Sequence, residues 1–344
     1  MSRVKELGEI LRDIYVEPSQ EAYELSLSYG YLPYMVQRYI DILGYDGAVK
    51  LIEFFEKKPK PVVRTNTLLV EPRDLKKRLE RLGFKLAEIP WSPDSYWVES
   101  EPESPSLGAT HEYLKGYYYV HRDATSLIPV LLLMHDYSGD VLDSCAAPGG
   151  KATYMAQILK SKGSKGIVYA NDLVLYRLKA LIGHVMRLKL DNVVVLWSDA
   201  RKLPVKLGRK FNRVLLDAPC SGEGRISVDP GRKTRTSILD LAIMVKREME
   251  LLSSLIEVLE PGGILAYVTC SIAPEENEYV VNHILSSTTD IEVMPPPLKL
   301  LDYSPGLVEY RNLKFHESLE NCIRIWPFKH GLFGYFICLL RKMK

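Results

Sequence analysis

Cysteine is scarce in this chain, and its spacing excludes the common structural uses of the residue. The five cysteines are Cys145, Cys220, Cys270, Cys322 and Cys338. None belongs to a CxxC pair or to a cysteine and histidine spacing typical of zinc, and an odd number does not indicate a disulfide framework. We therefore expect five free thiols and no metal site.

Long hydrophobic runs are also missing. No apolar stretch approaches the roughly 20 residues that a membrane-spanning helix requires, and the first residues lack the apolar core of a secretory signal. The chain has 344 residues, of which 47% are hydrophobic, so it can bury a large core. These features predict a globular, cytoplasmic protein without membrane contact, and we expect a monomer.

Net charge is small, because 45 Lys and Arg face 43 Asp and Glu. The small net charge neither favours nor excludes nucleic-acid binding, because phosphate binding depends on local basic patches. One basic stretch lies between residues 201 and 235, and it is either a patch that contacts RNA phosphates or a plain solvated face. Its members are Arg201, Lys202, Lys206, Arg209, Lys210, Arg225, Arg232, Lys233 and Arg235.

The residue pattern in the first third of the chain predicts helices followed by a small module of strands and helix. Apolar residues recur at helical spacing over residues 3–56, and a proline-containing run then interrupts the pattern. A strand over 62–70, a helix from Pro72 to Gly83, and strands near Trp97 and over 117–120 are predicted next. We interpret residues 1–125 as one N-terminal unit.

From residue 126 onward, apolar strands alternate with helices. Five strands are predicted over 140–145, 166–171, 192–197, 213–217 and 263–269, and two more over 321–326 and 334–340. Such a pattern predicts a parallel sheet covered on both faces, so residues 126–344 form a doubly wound, Rossmann-like α/β domain. Sheets of this kind bind ligands at the carboxyl ends of their strands.

The turn after the first of these strands is rich in small residues and lets a ligand approach the backbone. It lacks the residues of a phosphate-binding loop, and Gly149 and Gly150 do not make a GxGxxG fingerprint. Asp172 and Asp199 end the next two strands, where they can accept hydrogen bonds from a ribose and an adenine. Each aspartate alone is equally a helix N-cap, but the three features in strand order indicate a nucleoside cofactor.

Two cysteines follow the fourth and fifth strands. If these strands are neighbours, their ends lie about 5 Å apart, so Cys220 and Cys270 face one pocket. A cysteine nucleophile needs a nearby positive charge to lower its pKa, and Lys151 is the candidate, with a surface lysine as the alternative. The residue types do not decide which cysteine attacks.

The same pocket favours methyl transfer to carbon over transfer to nitrogen. Enzymes that methylate amino groups carry a Pro-Pro-Tyr or Pro-Pro-Phe turn here, whereas this chain ends the turn with Cys220. A thiolate that adds to carbon 6 of cytosine makes carbon 5 nucleophilic enough to accept a methyl group. Asp217 can hydrogen-bond the base and touch the cofactor.

Four motifs resemble those of the NOL1/NOP2/Sun family of RNA 5-cytosine methyltransferases. They are Asp143–Lys151, Ala170–Asp172, Asp217–Gly224 and Thr269–Glu278. Residues 64–67 and 334–342 are also similar to family segments, so the resemblance extends from about residue 62 to residue 342.

This resemblance implies S-adenosylmethionine as cofactor, RNA as substrate and an RRM-like RNA-binding module within residues 1–125. It implies that Cys270 is the nucleophile and that Cys220 helps release methylated RNA, with Lys151 and Asp217 beside them. The implied cofactor-binding residues are Cys145, Ala146, Ala147, Pro148, Gly149, Gly150, Lys151, Asp172, Arg177, Asp199 and Asp217.

The sequence leaves more than one substrate and function open. Compact archaeal members of the family with a small N-terminal module modify tRNA, so tRNA is the first expectation and ribosomal RNA the alternative. A non-catalytic RNA-binding or assembly factor is disfavoured because both pocket cysteines, Lys151 and Asp217 are present. A dehydrogenase is disfavoured by the missing glycine fingerprint.

Overall fold

Two separate β-sheets organise the chain in a computed structural model that describes residues 2–343. The smaller sheet has four strands and the larger has nine, and a two-stranded ribbon lies beside them. Within residues 2–343, no helix is both long and apolar enough to cross a membrane.

Three helices precede the first sheet. They are α1 (Ser2–Ile14), α2 (Gln20–Tyr29) and α3 (Pro33–Phe55). Ser19 caps α2 by accepting a hydrogen bond from the Ala22 amide, and Gly30 ends it in the left-handed conformation. Non-helical geometry at Gly44 kinks α3. The helical segment predicted over residues 3–56 is thus three helices.

The small sheet has the strand order of an RRM-like module. Its elements are β1 (Val62–Thr65), α4 (Pro72–Arg81), β2 (Lys85–Ile89), β3 (Ser92–Ser100), α5 (His111–Leu114) and β4 (Tyr118–His121). The strands pair antiparallel in the order β2-β3-β1-β4. The strand expected over 62–70 is shorter because the Asn66 side chain accepts a hydrogen bond from the Leu68 amide and turns the chain.

The large sheet contains the five predicted parallel strands and additional antiparallel ones. The first half of the domain that holds this sheet contains α6 (Ile128–Leu133), β5 (Val141–Asp143), α7 (Gly150–Ser161), β6 (Val168–Asp172), α8 (Leu175–Arg187), β7 (Val193–Trp197), α9 (Leu203–Leu207) and β8 (Phe211–Asp217). The second half of the domain contains α10 (Arg232–Arg235), α11 (Ile238–Glu257), β9 (Leu259–Thr269), α12 (Glu278–Ser287), β10 (Ile291–Met294), β11 (Ser304–Pro305), β12 (Glu309–Tyr310), β13 (Leu313–Lys314), β14 (Ile323–Ile325), α13 (Pro327–His330) and β15 (Tyr335–Lys342). Of these strands, β12 and β13 form the separate two-stranded ribbon.

The strand order confirms the doubly wound prediction. The path is β11-β14-β15-β9-β8-β5-β6-β7, with β5 to β9 parallel and β15 antiparallel to β9. The order reverses at β5, which lies between β6 and β8, and this reversal opens a crevice at the carboxyl ends of the strands. Because β8 and β9 are neighbours, the residues after them meet at that edge.

Packing groups the N-terminal helices with the large sheet. Buried residues of α2 and α3 form one cluster with Ile226, Ile272 and Trp326, while the small sheet has its own core around Leu75 and Tyr118. Helix α1 lies on α11. The N-terminal unit predicted over residues 1–125 therefore has helices that pack against the large-sheet domain, and its boundary stays a prediction.

The expectation of five free thiols is wrong for two of them. A disulfide joins Cys322 and Cys338, which face each other across the antiparallel strands β14 and β15 next to the paired residues Ile323 and Ile337. Spacing of 16 residues did not indicate this bond, because the register of two strands decides it. Cys145, Cys220 and Cys270 are free.

Candidate active site

A cavity of about 520 Å³ lies at the carboxyl edge of β5, β8 and β9. Most of its wall comes from the turns after β5, β8 and β9 and from the end of the small sheet at residues 119–126. Arg177, Arg232, Phe333 and Tyr335 complete the lining. The two domains therefore both contribute to the cavity, which lies where the strand order reverses.

The turn after β5 forms one wall and requires glycine. Gly149 has a φ of +110°, and a Cβ placed there would lie 2.6 Å from the Leu181 Cδ1 atom. A Cβ at Gly150 would lie within 3.4 Å of His121 and Tyr119, side chains of the small sheet. The glycine pair lets the turn pass between α8 and the small module.

Asp172 holds this turn from the side. Its carboxylate accepts hydrogen bonds from the Ala147 amide at 3.1 Å and the Val174 amide at 2.9 Å, and it is buried. Arg177 Nη1 lies 3.4 Å from the Asp172 carboxylate, and the guanidinium also donates to the Ala147 carbonyl. The structure thus brings together three predicted cofactor residues, Ala147, Asp172 and Arg177.

Asp143, the last residue of β5, is a site residue that the sequence analysis did not select. Its carboxylate lines the cavity and is almost fully buried, and neither oxygen has a well-formed hydrogen bond from the described residues. Burial, followed by repulsion from Asp217, raises the pKa of Asp143 to about 8. Such an unpartnered carboxyl fits a cationic or hydrogen-bond-donating ligand group. Its place at the end of the first strand was the available signal.

Lys151 and Asp217 form an ion pair inside the cavity. The Lys151 Nζ atom lies 2.6 Å from Asp217 Oδ2 and donates to the Tyr335 hydroxyl at 3.3 Å. Burial alone favours the neutral amine, but the Asp217 carboxylate raises the pKa of Lys151 above its usual range. The lysine is therefore charged, although its charge is largely compensated by its partner.

Cys220 and Cys270 meet as the neighbouring strands predict. Their Sγ atoms lie 3.5 Å apart in the cavity. The contact with Cys220, helped by the charge of Arg225, lowers the pKa of Cys270 to about 7 despite its burial. The same contact and burial raise the pKa of Cys220 well above its usual value. At neutral pH, Cys270 is the thiol that ionises.

Arg225 is a second cavity residue that was not predicted as part of the site. It was grouped with the basic stretch, but it lines the cavity beside Cys270 and lies over the Phe333 ring. Its charge favours the Cys270 thiolate more than that of Lys151 does, and the Asp217 carboxylate opposes the effect of the lysine. Arg225 follows Cys220 by only five residues, and that proximity was the signal in the sequence.

Asp199 lies outside this cavity. It follows β7 by two residues, accepts a hydrogen bond from the Arg201 amide as a helix cap, and binds the Arg201 guanidinium at 2.7 Å. Arg201 also pairs with Glu250 on α11, and both acids border a separate surface depression. In this arrangement the carboxylate of Asp199 is occupied by Arg201.

The basic stretch between residues 201 and 235 does not form one surface. Arg209 pairs with Asp140, which precedes β5, so it lies at the opposite edge of the sheet from the cavity. Lys233 pairs with Glu56, and Arg235 pairs with Asp229. The fold therefore separates Arg209 from the members that line the cavity, and carboxylates pair with several members. Contact of the remaining members with RNA phosphates stays a prediction.

Family models match both parts of the chain. The model described as 16S rRNA methyltransferase RsmB/F matches residues 130–341, and the one described as the N-terminal domain of 16S rRNA methyltransferase RsmF matches residues 32–121.

Curated relatives carry ribosomal RNA names. The human 28S rRNA (cytosine(4447)-C(5))-methyltransferase is 36% identical over 99% of this chain and 42% of its own length. Ribosomal RNA small subunit methyltransferase F of Vibrio parahaemolyticus is 35% identical over 81% of this chain and 56% of its own length. The chain thus spans about half the length of these relatives.

Solved structures resemble the chain along most of its length. A methyltransferase homolog protein from Pyrococcus horikoshii is 34% identical, with a TM-score of 0.82, over 94% of this chain and 99% of its own. NSun6 from the same organism, solved with SFG, has a TM-score of 0.77 at 23% identity over 90% of this chain and 97% of its own, which shows a shared fold.

Proposed function

This chain belongs to the NOL1/NOP2/Sun family of RNA methyltransferases, which includes RsmB and RsmF, and we propose that it methylates carbon 5 of a cytosine in RNA. The observation that carries the proposal is the 3.5 Å contact between the Cys220 and Cys270 thiols within one cavity. A thiol with a lowered pKa beside a second, protonated thiol suits covalent addition to a base and later release.

The methyl donor in this proposal is S-adenosylmethionine, which supplies an electrophilic methyl group when bound. The residues of the cavity fit it. The buried Asp143 carboxyl is available to its cationic amino acid end, while the glycine turn accepts close approach of a ligand. Asp172 at the end of β6 and Arg177 in the first turn of α8 lie where a ribose would bind. Asp199 follows the next strand, where the adenine would bind if Asp199 released Arg201.

Cys270 is the proposed nucleophile. Its thiolate adds to carbon 6 of the cytosine, and the electron pair of the carbon 5 to carbon 6 double bond becomes available at carbon 5 for the methyl group. The electron pair of the broken methyl–sulfur bond stays with the donor. A water molecule acting as base then takes the carbon 5 proton, and the electron pair of that C–H bond re-forms the double bond between carbons 5 and 6 while the bond between carbon 6 and Cys270 breaks and returns its pair to the thiolate. We assign Cys220 to this release stage, because it lies beside Cys270 and stays protonated at neutral pH.

Lys151 and Asp217 orient the base in this proposal. Asp217 accepts the Lys151 ammonium on one oxygen, so its other oxygen is available to the amino edge of the cytosine. Tyr335 supports the lysine from β15. The pair therefore fixes the direction of the base while its compensated charge leaves Arg225 to favour the thiolate.

Ribosomal RNA is the substrate that we propose first, because the human and Vibrio relatives are named for it. Transfer RNA, which the sequence analysis placed first, is the alternative, and the RRM-like sheet is the proposed RNA-binding module in either case. The cytoplasmic location and the monomeric state stay predictions.

The test is transfer of labelled methyl groups to ribosomal RNA and tRNA from cells that lack the gene, followed by bisulfite sequencing of the labelled fraction. We expect 5-methylcytosine in ribosomal RNA with the native protein and none with Cys270→Ala. Label confined to tRNA would replace the substrate, and label on another base or atom would overturn the proposed reaction.

A further inference from the structure

Helix α3, the third helix of the chain, carries an arginine that is buried next to the two cysteine turns. Arg38 is 1% exposed, although arginine is rarely buried without partners. Its Nη1 atom donates to Glu223 Oε2 at 2.6 Å, and its Nε atom donates to Glu275 Oε1 at 3.1 Å. The Tyr34 ring lies 5.2 Å from the guanidinium.

The two glutamates belong to the two cysteine turns. Glu223 follows Cys220 by three residues, Glu275 follows Cys270 by five, and both are buried. A single planar guanidinium therefore joins the turn after β8 to the turn after β9. The geometry uses the fork of arginine, which an ammonium group cannot reproduce at two acceptors in fixed directions.

Shorter contacts join the same two turns directly. The Gly224 amide donates to the Cys270 carbonyl at 2.9 Å, and the Glu276 carboxylate accepts both the amide and the hydroxyl of Ser221 at 2.6 Å. These bonds fix the backbone near each cysteine, and Arg38 adds a hydrogen bond to Glu223 and one to Glu275.

Charge makes Arg38 necessary for this network. Burial raises the pKa of Glu223 and of Glu276, and the positive charge of Arg38 opposes that rise at both groups. Without the guanidinium, these buried carboxyls must take up protons or separate. Either change alters the turns that carry the two thiols.

We propose that Arg38 is a positioning residue for catalysis, which holds the turns of Cys220 and Cys270 at the separation where their thiols touch. The helical segment that carries it then belongs to the catalytic unit as well as to the chain's N-terminal part, in line with its packing on the large sheet. Arg38 does not line the cavity, so it acts through the turns and touches neither base nor cofactor. The proposal rests on the methyltransferase function proposed above.

The test uses Arg38→Lys and Arg38→Met in the full chain. Lysine keeps the charge but not the two-directional fork, whereas methionine removes both. The measurement is the rate of Cys270 alkylation by iodoacetamide against pH, read by mass spectrometry of the Cys270 peptide, together with kcat and the KM for S-adenosylmethionine. Arg213→Lys is the matched control, since Arg213 donates to the Leu133 carbonyl at the opposite edge of the sheet.

We expect both Arg38 variants to shift the alkylation profile to higher pH and to lower alkylation at pH 7 several-fold, with methionine the more severe. The value of kcat should fall at least as much while the KM for S-adenosylmethionine stays unchanged. Arg213→Lys should retain the native profile. A folded Arg38→Lys protein with the native profile and native kcat would overturn the proposal.

A further variant covers the case in which neither Arg38 variant folds. Glu275→Leu removes the second acceptor of Arg38 and so breaks the link between the two turns, and we expect a smaller shift of the Cys270 profile in the same direction. A native profile in that folded variant would also overturn the proposal. Alkylation needs no RNA, so it remains readable if the proposed substrate or reaction is wrong.

Discussion

The Sγ atom of Cys270 lies 3.5 Å from the Sγ atom of Cys220, although 50 residues separate them in the chain. The contact divides the two thiols chemically, because it lowers the pKa of one and raises that of the other. It exists because β8 and β9 are parallel neighbours whose following turns enter the same crevice. The Arg225 charge, which favours ionisation of Cys270, supports the order of action implied by the family resemblance, in which Cys270 attacks first.

The first prediction concerns the pH dependence of Cys270. Only the thiolate is alkylated, and the pKa of Cys270 is lowered to about 7 by Cys220 and Arg225. Its alkylation rate should therefore rise as the pH increases through about 7 and then level off. Arg225→Met removes a positive charge that favours the thiolate, so the midpoint should move to higher pH. Rates of iodoacetamide modification measured between about pH 5 and about pH 9, roughly two units on either side of neutrality, check this.

Arg225→Lys is the control for that prediction, since it keeps a positive charge near the thiol and should keep most of the native profile. An Arg225→Met profile that coincides with the native one would remove Arg225 from the account of Cys270 reactivity.

The sequence predicts the large sheet well because each of its signals is local. Continuous apolar strands, glycine turns and carboxylates at strand ends can each be recognised within about ten residues, and neighbouring strands then bring Cys220 and Cys270 together. The strand β2 (Lys85–Ile89) was missed because its buried and exposed residues do not alternate regularly, and the register with β3 shifts at both ends.

The residues that the sequence did not assign correctly depend on distant partners. Arg38 lies 185 positions before Glu223, and no local pattern relates them. Arg225 was read as part of a charged stretch because linear density of basic residues does not show which side chains turn inward. The Cys322–Cys338 bond likewise follows from strand register.

The second prediction concerns cofactor affinity. Asp172→Ala removes the carboxylate that accepts hydrogen bonds from the Ala147 and Val174 amides, and it leaves Arg177 without this ion-pair partner. We expect S-adenosylmethionine binding to weaken by roughly 1.5 to 3 kcal/mol, the usual contribution of hydrogen bonds to a charged group. Isothermal titration calorimetry measures the change.

Asp136→Ala is the matched control, because that aspartate side chain is 88% exposed and away from the turn. It should bind the cofactor as the native protein does. An unchanged affinity in Asp172→Ala would show that the β6 carboxylate takes no part in the cofactor site.

The third prediction concerns the number of accessible thiols. Three cysteines are free, and Cys322 and Cys338 are joined. Alkylation in denaturant without reductant should add three labels to the purified protein, and alkylation after reduction should add five. Intact-mass spectrometry distinguishes the two results. Five labels without reductant would restore the expectation of five free thiols.

The last prediction separates the two pocket cysteines by what each variant accumulates on RNA. Without Cys270 no bond to carbon 6 can form, so Cys270→Ala should be inactive and bind RNA only noncovalently. Cys220→Ala retains the attacking Cys270 but impairs release, so at a pH high enough to ionise Cys270 it should accumulate a methylated RNA and protein conjugate that survives denaturing electrophoresis. The double variant is the control and should give no conjugate. A conjugate with Cys270→Ala and none with Cys220→Ala would reverse the roles, and activity without conjugates in both single variants would exclude a covalent route.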